Sequence, residues 1–496
     1  MDSGSQIRQD GFHKRLRFRD VRIDPLVSLS HRRALPEDVA TKLSHDEIVG
    51  IPLDGHDSYV CGEPSSLSLG AQMLRALIVS SLFCLAAAPA LHAQGLRDRL
   101  SDLFTFGSCG QPLCLDLANA HGNHFLPAVD AGNSTVIGFV TQAVAKSASN
   151  IPVSATSSGA TFSIVDGLPV RTSTSAGPVF AERPQTLGKK RFFVGTNVTS
   201  IQFSTLNGVP LDRLQLNFAH ENVGNPGRGD PAFENDVIRT QVALRLNLLV
   251  ASVFATYGLT DFIDIGVAVP MMRVSMRGSS VAQIDPFGPN PPHHFAGTDA
   301  SPILRATSGI EGTASGIGDV VGRLKVNLGQ SRRIGAALLS EVRFATGNED
   351  DLLGSGATSV RGMGVVGAQF GQFALHGNAG YIVQTGELQN DAILATIGFD
   401  NLVTERATLA FSLLSETSVG AAKFQLPPPI QLVAPFERTI QSTSIPHRKD
   451  DRLDASLGMK LNLRGGTVFV LNGTVPLKKA GVQPDFFLTT GLEISF

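Results

Sequence analysis

No tryptophan occurs in the 496 residues, and tyrosine occurs only three times. Any aromatic girdle at a membrane interface would therefore have to be built from the 29 phenylalanines. Charge is also scarce. Asp, Glu, Lys and Arg make up 17% of the chain and nearly cancel, to a formal −2. Nucleic-acid binding needs a basic stripe, and this balance excludes it as an expectation. No uninterrupted apolar run reaches the roughly 20 residues of a membrane-crossing helix. Any crossing must rest on strands.

What is present begins with a segment of three parts at Met73–Ala93. Arg75 is a basic start, Ala76 to Ala88 an apolar core, and Ala-Leu-His-Ala93 a small-x-small cleavage site. That order predicts a secretory signal peptide over 73–93, cut after Ala93. Residues 1–72 are polar and aperiodic, and are read as a mis-assigned start or a disordered leader. Beyond the signal, Cys109 and Cys114 stand close enough for a small disulfide loop in an oxidising compartment. Free thiols are the alternative. A zinc site with His121 and His124 does not match a common spacing, so no metal is expected. Residues 94–160 are too irregular for a sheet and are assigned to a plug or periplasmic segment.

From Thr161 onward the chain alternates at period two, the signature of strands rather than helices. Ile238, Thr240, Val242, Leu244, Leu246 and Leu248 share one face, and Arg239, Gln241, Ala243, Arg245 and Asn247 the other. Leu453 to Leu463 alternate in the same way against Asp454, Ser456, Gly458, Lys460, Asn462 and Arg464. The last stretch, Phe486–Phe496, places Phe486, Leu488, Leu492, Ile494 and Phe496 on one face.

Alternation alone does not tell a soluble sandwich from a membrane barrel; the links do. Counted back from Phe496, short links such as Gly465-Gly466 and Gly371-Gln372 alternate with long ones such as Glu416–Arg452, Arg277–Ser315 and Arg171–Lys190, which this alternation places outside as external loops. Transmembrane barrels segregate short turns and long loops in this way. The expected fold is an all-β, antiparallel up-and-down transmembrane barrel over 161–496. It would have about 14 strands, in a range of about 12 to 16, with Thr161–Val170 as the first and Phe496 as the membrane-insertion signal.

Three stretches carry a family resemblance. They are Tyr257-Gly-Leu-Thr-Asp-Phe-Ile-Asp-Ile-Gly-Val-Ala-Val-Pro270, Gly316-Ile-Gly-Asp-Val-Val-Gly-Arg-Leu-Lys325, and Glu341-Val-Arg-Phe-Ala-Thr-Gly-Asn-Glu-Asp-Asp-Leu-Leu-Gly-Ser-Gly356. Over roughly 191–496 the chain resembles outer-membrane transporters associated with meta-pathway phenol degradation. The resemblance implies a barrel akin to fatty-acid and aromatic-hydrocarbon channels, and brings no catalytic residues. On the barrel reading, charges on the polar faces line the lumen: Arg239, Arg245, Asp264, Asp319, Arg323, Lys325, Glu341, Arg343, Lys460 and Arg464.

Other motifs point less sharply. Gly362-Met-Gly-Val-Val-Gly367 has dinucleotide-fingerprint spacing but lies inside a strand pattern rather than opening a helix. Asn348-Glu-Asp-Asp351 offers oxygens for a hard cation without a calcium-loop spacing. His293 and His294 read as solvated loop residues, and His376 is the one histidine placed to act inside a strand. No enzyme and no cofactor are expected. The functional expectation is a channel in the bacterial outer membrane for passive uptake of small hydrophobic or aromatic molecules. Its partners would be outer-membrane lipid, the barrel-insertion machinery and a small hydrophobic solute; the sequence sets no oligomeric state. The alternative is a structural or adhesive barrel whose long loops bind a partner.

Overall fold

The computed structural model describes residues 94–103, 106–107, 113–115, 125, 162–165, 168–171, 175–220, 234–287, 293–386, 389–423, 426, 428–463 and 466–495. The expected leader, the signal peptide, Cys109, Arg464 and Phe496 lie outside these residues, so the disulfide and insertion-signal expectations fall there too.

Among the described residues one helix, α1 (Leu96–Ser101), precedes the sheet. The principal strands are β1 (Phe192–Leu206), β2 (Leu214–Ala219), β3 (Val237–Gly258), β4 (Ile263–Asp285), β5 (Arg305–Ile317), β6 (Val321–Gln330) and β7 (Ile334–Arg343). They continue with β8 (Ser359–Phe370), β9 (Phe373–Gln384), β10 (Ala392–Leu402), β11 (Ala407–Ser418), β12 (Arg452–Asn462), β13 (Thr467–Pro476) and β14 (Val482–Ser495). All but β2 and β5 form a ring of twelve antiparallel strands, closed where β14 pairs with β1 from Val482↔Leu206 to Ser495↔Phe193. Closure leaves no sheet edge around the wall.

Two of the strands expected from alternation are not wall strands, which takes about 14 to twelve and keeps the count even. Residues 162–171 form a separate two-stranded hairpin, Phe162–Val165 with Leu168–Arg171. The wall therefore opens at Phe192, and β14 closes against β1 rather than against Thr161–Val170. The second is β2, only six residues long, which pairs with the far end of β3 (Leu214↔Val242 to Ala219↔Val237). Its period-two pattern is genuine, but six residues are fewer than the 9–11 or so a tilted spanning strand needs.

The links segregate by length. Residues 259–262, 331–333, 371–372, 403–406 and 463–466 are short and share the turn end with the start of β1 and the finish of β14. Residues 207–236, 344–358 and 419–451 are long and share the opposite, loop end. Most wall strands have 10–15 residues, whereas β3 has 22 and β4 has 23, paired along Val237↔Asp285 to Gly258↔Asp264. At about 3.4 Å per residue, this ribbon rises far beyond the wall at the loop end. There β5 pairs along β4 from Arg305↔Gln283 to Ile317↔Met271.

Each of the twelve wall strands presents large apolar side chains to the outside. Phe192, Leu249, Ile265, Leu324, Leu338, Val360, Val383, Ile397, Leu409, Leu457, Leu471 and Leu488 are all exposed. A ring of exposed aliphatic groups around a closed barrel is the surface that lipid solvates. In its turn-end half the inner face of the same strands carries the buried charged side chains, with small apolar clusters such as Phe193 with Phe254 between them. The barrel therefore spans a membrane. Phenylalanines do stand in for the missing Trp and scarce Tyr: Phe192, Phe262 and Phe370 are exposed near the turn end, with Tyr257 beside Phe192. Phe373, Phe399 and Phe411 stack across β9, β10 and β11 with centroids 5.5 and 5.7 Å apart.

Candidate functional site

Residues 175–190 pass through the turn-end half of the lumen. Length alternation had assigned 171–190 to a long external loop, yet Ser175, Ala176, Val179, Ala181, Glu182 and Arg183 are all buried. The composition explains this. Ala-Gly-Pro-Val-Phe-Ala-Glu-Arg-Pro is too apolar for a solvated loop, and its adjacent opposite charges each need a buried partner. The lumen plug is therefore this segment. Of the expected plug, 94–160, the described residues are 94–103, 106–107, 113–115 and 125; α1 lies against β5, and Leu113, Leu115 and Phe125 join the buried cluster at the loop end.

The wall is shaped to receive the segment. A Cβ at Gly367 would stand 2.8 Å from Pro184 Cδ, one at Gly335 3.0 Å from Pro184 Cγ, and one at Gly458 2.7 Å from Val179 Cγ2. Of the glycines in the Gly362–Gly367 run, Gly367 thus serves close packing in β8. No helix follows the run, as a dinucleotide fingerprint requires.

Polar contacts hold the plug along its length. The Ser175 hydroxyl donates to Asp400, and the Ala176 N–H donates to Thr408 Oγ1 at 3.0 Å. The Asn378 side chain clamps the backbone of Glu182, accepting its N–H at 2.9 Å and donating to its carbonyl at 3.1 Å. Asn327 donates to the Pro184 carbonyl at 2.7 Å. At the turn end, the Leu187 N–H donates to both Asp264 oxygens (3.2 and 3.0 Å) and the Lys189 N–H to Asp261 Oδ1 at 3.0 Å. Asp261 and Asp264 belong to the Tyr257–Pro270 motif, whose acidic residues therefore anchor the plug.

Glu182 and Arg183 point to different walls. Glu182 pairs with Arg323 and, at 3.5 Å, with Lys325 Nζ. Arg323 also meets Glu341 at 2.7 Å, and Glu341 pairs with Arg361. Arg183 lies 3.8 Å from Asp400 and donates to the Ser175 hydroxyl at 3.0 Å. Nearby, Lys460 pairs with Glu493 at 3.4 Å. Of the charges expected in the lumen, Asp264, Arg323, Lys325, Glu341 and Lys460 are buried there. The partners Glu182, Arg183, Arg361, Asp400 and Glu493 complete the network.

Of the other expected lumen charges among the described residues, Asp319 and Arg343 stay on the inner side at the loop end of β6 and β7, whereas Arg239 and Arg245 do not. Asp319 accepts from the Gly347 N–H (3.1 Å) and from the Ser355 N–H and hydroxyl (2.9 and 2.7 Å). It orders loop 344–358, joining the two motifs that begin at Gly316 and Glu341. Arg343 is half-buried beside this loop. Arg239 pairs with Asp285 at 2.7 Å on the solvent side, and Arg245 is exposed. Their strand is inverted relative to the simple barrel rule. Above the lipid zone the outer face of β3 meets water, so its polar residues point out and its apolar ones point in.

That inward turn creates a second region. Leu244, Leu246, Leu248 and Val250 of β3 and Met272, Val274 and Met276 of β4 are buried in one cluster. Leu96, Leu100, Leu103, Leu113, Leu115 and Phe125 of the N-terminal segment fill it, and Leu426, Leu432 and Ile445 of loop 419–451 cover it. α1 is held across β5: Arg99 Nη1 donates to the Glu311 carbonyl at 2.5 Å, and the Arg97 N–H to the Asp350 carbonyl at 2.8 Å. The acidic run at 348–351 thus has arginine as counter-charge, with Arg97 3.6 Å from Glu349. Among the described residues no group of three or more His, Cys, Asp or Glu is placed to hold a metal ion.

His376 points inward, with Nε2 2.5 Å from Asp400 Oδ1. The Ser175 hydroxyl donates to the other Asp400 oxygen, not to the imidazole. A nucleophile needs the base itself as its hydrogen-bond partner. This arrangement anchors the plug. His293 and His294, expected in solvent, are buried at the loop end.

No family profile matches the chain, and no curated protein does. Solved structures of similar outline include an outer membrane channel from Pseudomonas putida F1, at 13% identity over 63% of this chain and 97% of that one, with a TM-score of 0.35. A FadL homologue from Pseudomonas aeruginosa aligns at 11% over 62% and 90%, with a TM-score of 0.28. The Ralstonia pickettii toluene transporter TbuX aligns at 11% over 69% and 96%, with a TM-score of 0.29.

Proposed function

We propose that this chain is a bacterial outer-membrane channel for passive uptake of small hydrophobic molecules. On this reading it is placed by the barrel-insertion machinery with its turn end toward the periplasm. The observation that carries the reading is the change of chemistry along one inward face. On β3 it runs from Thr256 and Ser252, with Phe254 between them, at the turn end to Val250, Leu248, Leu246 and Leu244 at the loop end. A water-filled pore has no use for an aliphatic chamber at its mouth. A channel for poorly soluble molecules gains from one, because transfer of apolar surface out of water is worth about 25 cal/mol per Å². The polar, ion-paired plug beneath it blocks a continuous water column while leaving the chamber apolar. Aromatic compounds of the kind met in meta-pathway phenol degradation are the solutes this reading favours.

Loop 419–451 argues against an adhesive role. Its Leu426, Leu432 and Ile445 are buried over the chamber, and Asn217 donates to the Gln441 carbonyl at 2.7 Å. Those contacts fold part of it down, while Val433 and Phe436 stay exposed. The test is influx into vesicles containing the purified full chain. Toluene influx well above that of empty vesicles, with sucrose excluded, is the expected result. Equal entry of both solutes would make the chain a general pore, and entry of neither would refute the channel.

A further inference from the structure

The loop-end chamber holds one constellation that a merely greasy vestibule does not require. Phe125 is fully buried between two imidazoles, those of His220 and His293. Its ring centroid lies 5.3 Å from that of His220 and 5.0 Å from that of His293, with an interplanar angle of 80° in both cases. The two imidazoles are 5.1 Å apart and inclined at 50°. The phenyl ring therefore makes edge-to-face contacts with two rings at once, the arrangement that the quadrupole of an aromatic ring favours.

These walls are positioned. Asp236 Oδ2 lies 2.9 Å from His293 Nδ1, and Asp236 Oδ1 accepts the Phe287 N–H at 2.9 Å. One carboxylate thus orients the imidazole and holds Phe287 just past the end of β4. Asp236 stands directly before β3 and His220 directly after β2, so both sit where the β2–β3 pair is joined. Phe218, Ile238, Ile284 and Phe295 belong to the same buried cluster.

We propose that His220 and His293, with Asp236 as the positioning residue, form a recognition subsite for a single aromatic ring, and that the chain's own Phe125 occupies it in this structure. The inference rests on the channel reading for its purpose, and on the ring geometry for its chemistry. A phenyl group is the ligand; a benzene-sized solute competes with Phe125 for the same walls. An aliphatic solute of equal size gains the apolar burial but not the edge-to-face contacts. The subsite thus selects aromatic from saturated rings within an otherwise unselective chamber.

The test is fluorine NMR of fluorobenzene and fluorocyclohexane added to the full-length protein in nanodiscs, corrected for partition into empty nanodiscs. Phe125→Ala vacates the subsite and should bind fluorobenzene about tenfold more tightly than fluorocyclohexane, with wild type binding both more weakly. Adding His220→Leu and His293→Leu keeps the chamber apolar and should bring the ratio to within about twofold. The two single histidine variants in the Phe125→Ala background, each checked for folding by its unheated gel mobility, serve if the triple variant does not fold. Equal affinity for the two probes in Phe125→Ala, or a preference that survives loss of the histidines, overturns the subsite. Selective binding with no toluene influx would sink the channel reading and leave the subsite standing. Influx without ring selectivity would do the reverse.

Discussion

The turn-end and loop-end halves of the interior share strands, register and inward face, yet differ in almost every physical respect. Around the plug the inner wall carries Asp264, Arg323, Lys325, Glu341, Asp400, Lys460 and Glu493, all buried and ion-paired or hydrogen-bonded. Above it the same face of β3 and β4 is aliphatic and packs against the N-terminal segment. What changes between the halves is the solvent outside. Where lipid bathes the outer face, apolar residues can point outward and the interior takes the polar set. Where water bathes it, the interior takes the apolar set. The side that faces inward is constant; its chemistry is set by position relative to the bilayer.

Substitutions in the two halves should fail differently. The largest effect is expected from Glu182→Leu, which removes the carboxylate shared by Arg323 and Lys325. Leaving buried charge without its partner should cost about 3–5 kcal/mol, read as a lowered urea midpoint. An unchanged midpoint would mean that the plug is not seated by these pairs. Next comes Leu338→Lys on the lipid side of β7, where Leu338 is exposed. A lysine at mid-bilayer should cost about 2–4 kcal/mol in refolding into lipid vesicles.

Arg245→Ala sharpens the contrast, since the outer face of β3 lies in water at this height. Its effect should stay within about 0.5 kcal/mol; a loss like that of a lumen charge would place Arg245 inside after all. The smallest effect concerns pH. Burial pushes the Asp451 carboxyl up, but Lys478 at 2.8 Å and the Ser418 N–H outweigh it and hold the carboxyl below its ordinary value. A depressed carboxylate contributes stability above its unfolded pKa and loses it as pH falls through the folded one. Anchorage of loop 419–451 at Asp451 should therefore weaken only below about pH 4. Proteolysis of that loop in wild type should stay slower than in Asp451→Asn at about pH 5 and rise toward it as pH falls through the depressed folded pKa. Equal rates in the two proteins at about pH 5 would contradict the assignment.

Much of the wall was legible in the sequence, because period-two alternation and segregated link lengths are direct consequences of crossing a bilayer with strands. Asp264, Arg323, Lys325, Glu341 and Lys460 could be placed inside on that basis. The plug could not, because 175–190 has no period, and its length matched an external loop. Glu182-Arg183 between two prolines was the available signal: opposite charges in an apolar run seek buried partners. Arg239 and Arg245 were placed inside by a rule that holds only within the lipid zone, and only the 22 residues of β3 hinted that the strand leaves it. His220, His293 and Phe125 are far apart in the chain, and nothing in their spacing brings them together.

The central claim is that residues 175–187 seal a polar lumen whose apolar chamber lies above the seal. Single-channel conductance in planar bilayers tests it most directly, comparing the full chain with a variant lacking 175–187. The account predicts near-silent wild-type barrels and large, stable ionic openings once the segment is removed. Equal conductance in the two proteins would contradict it.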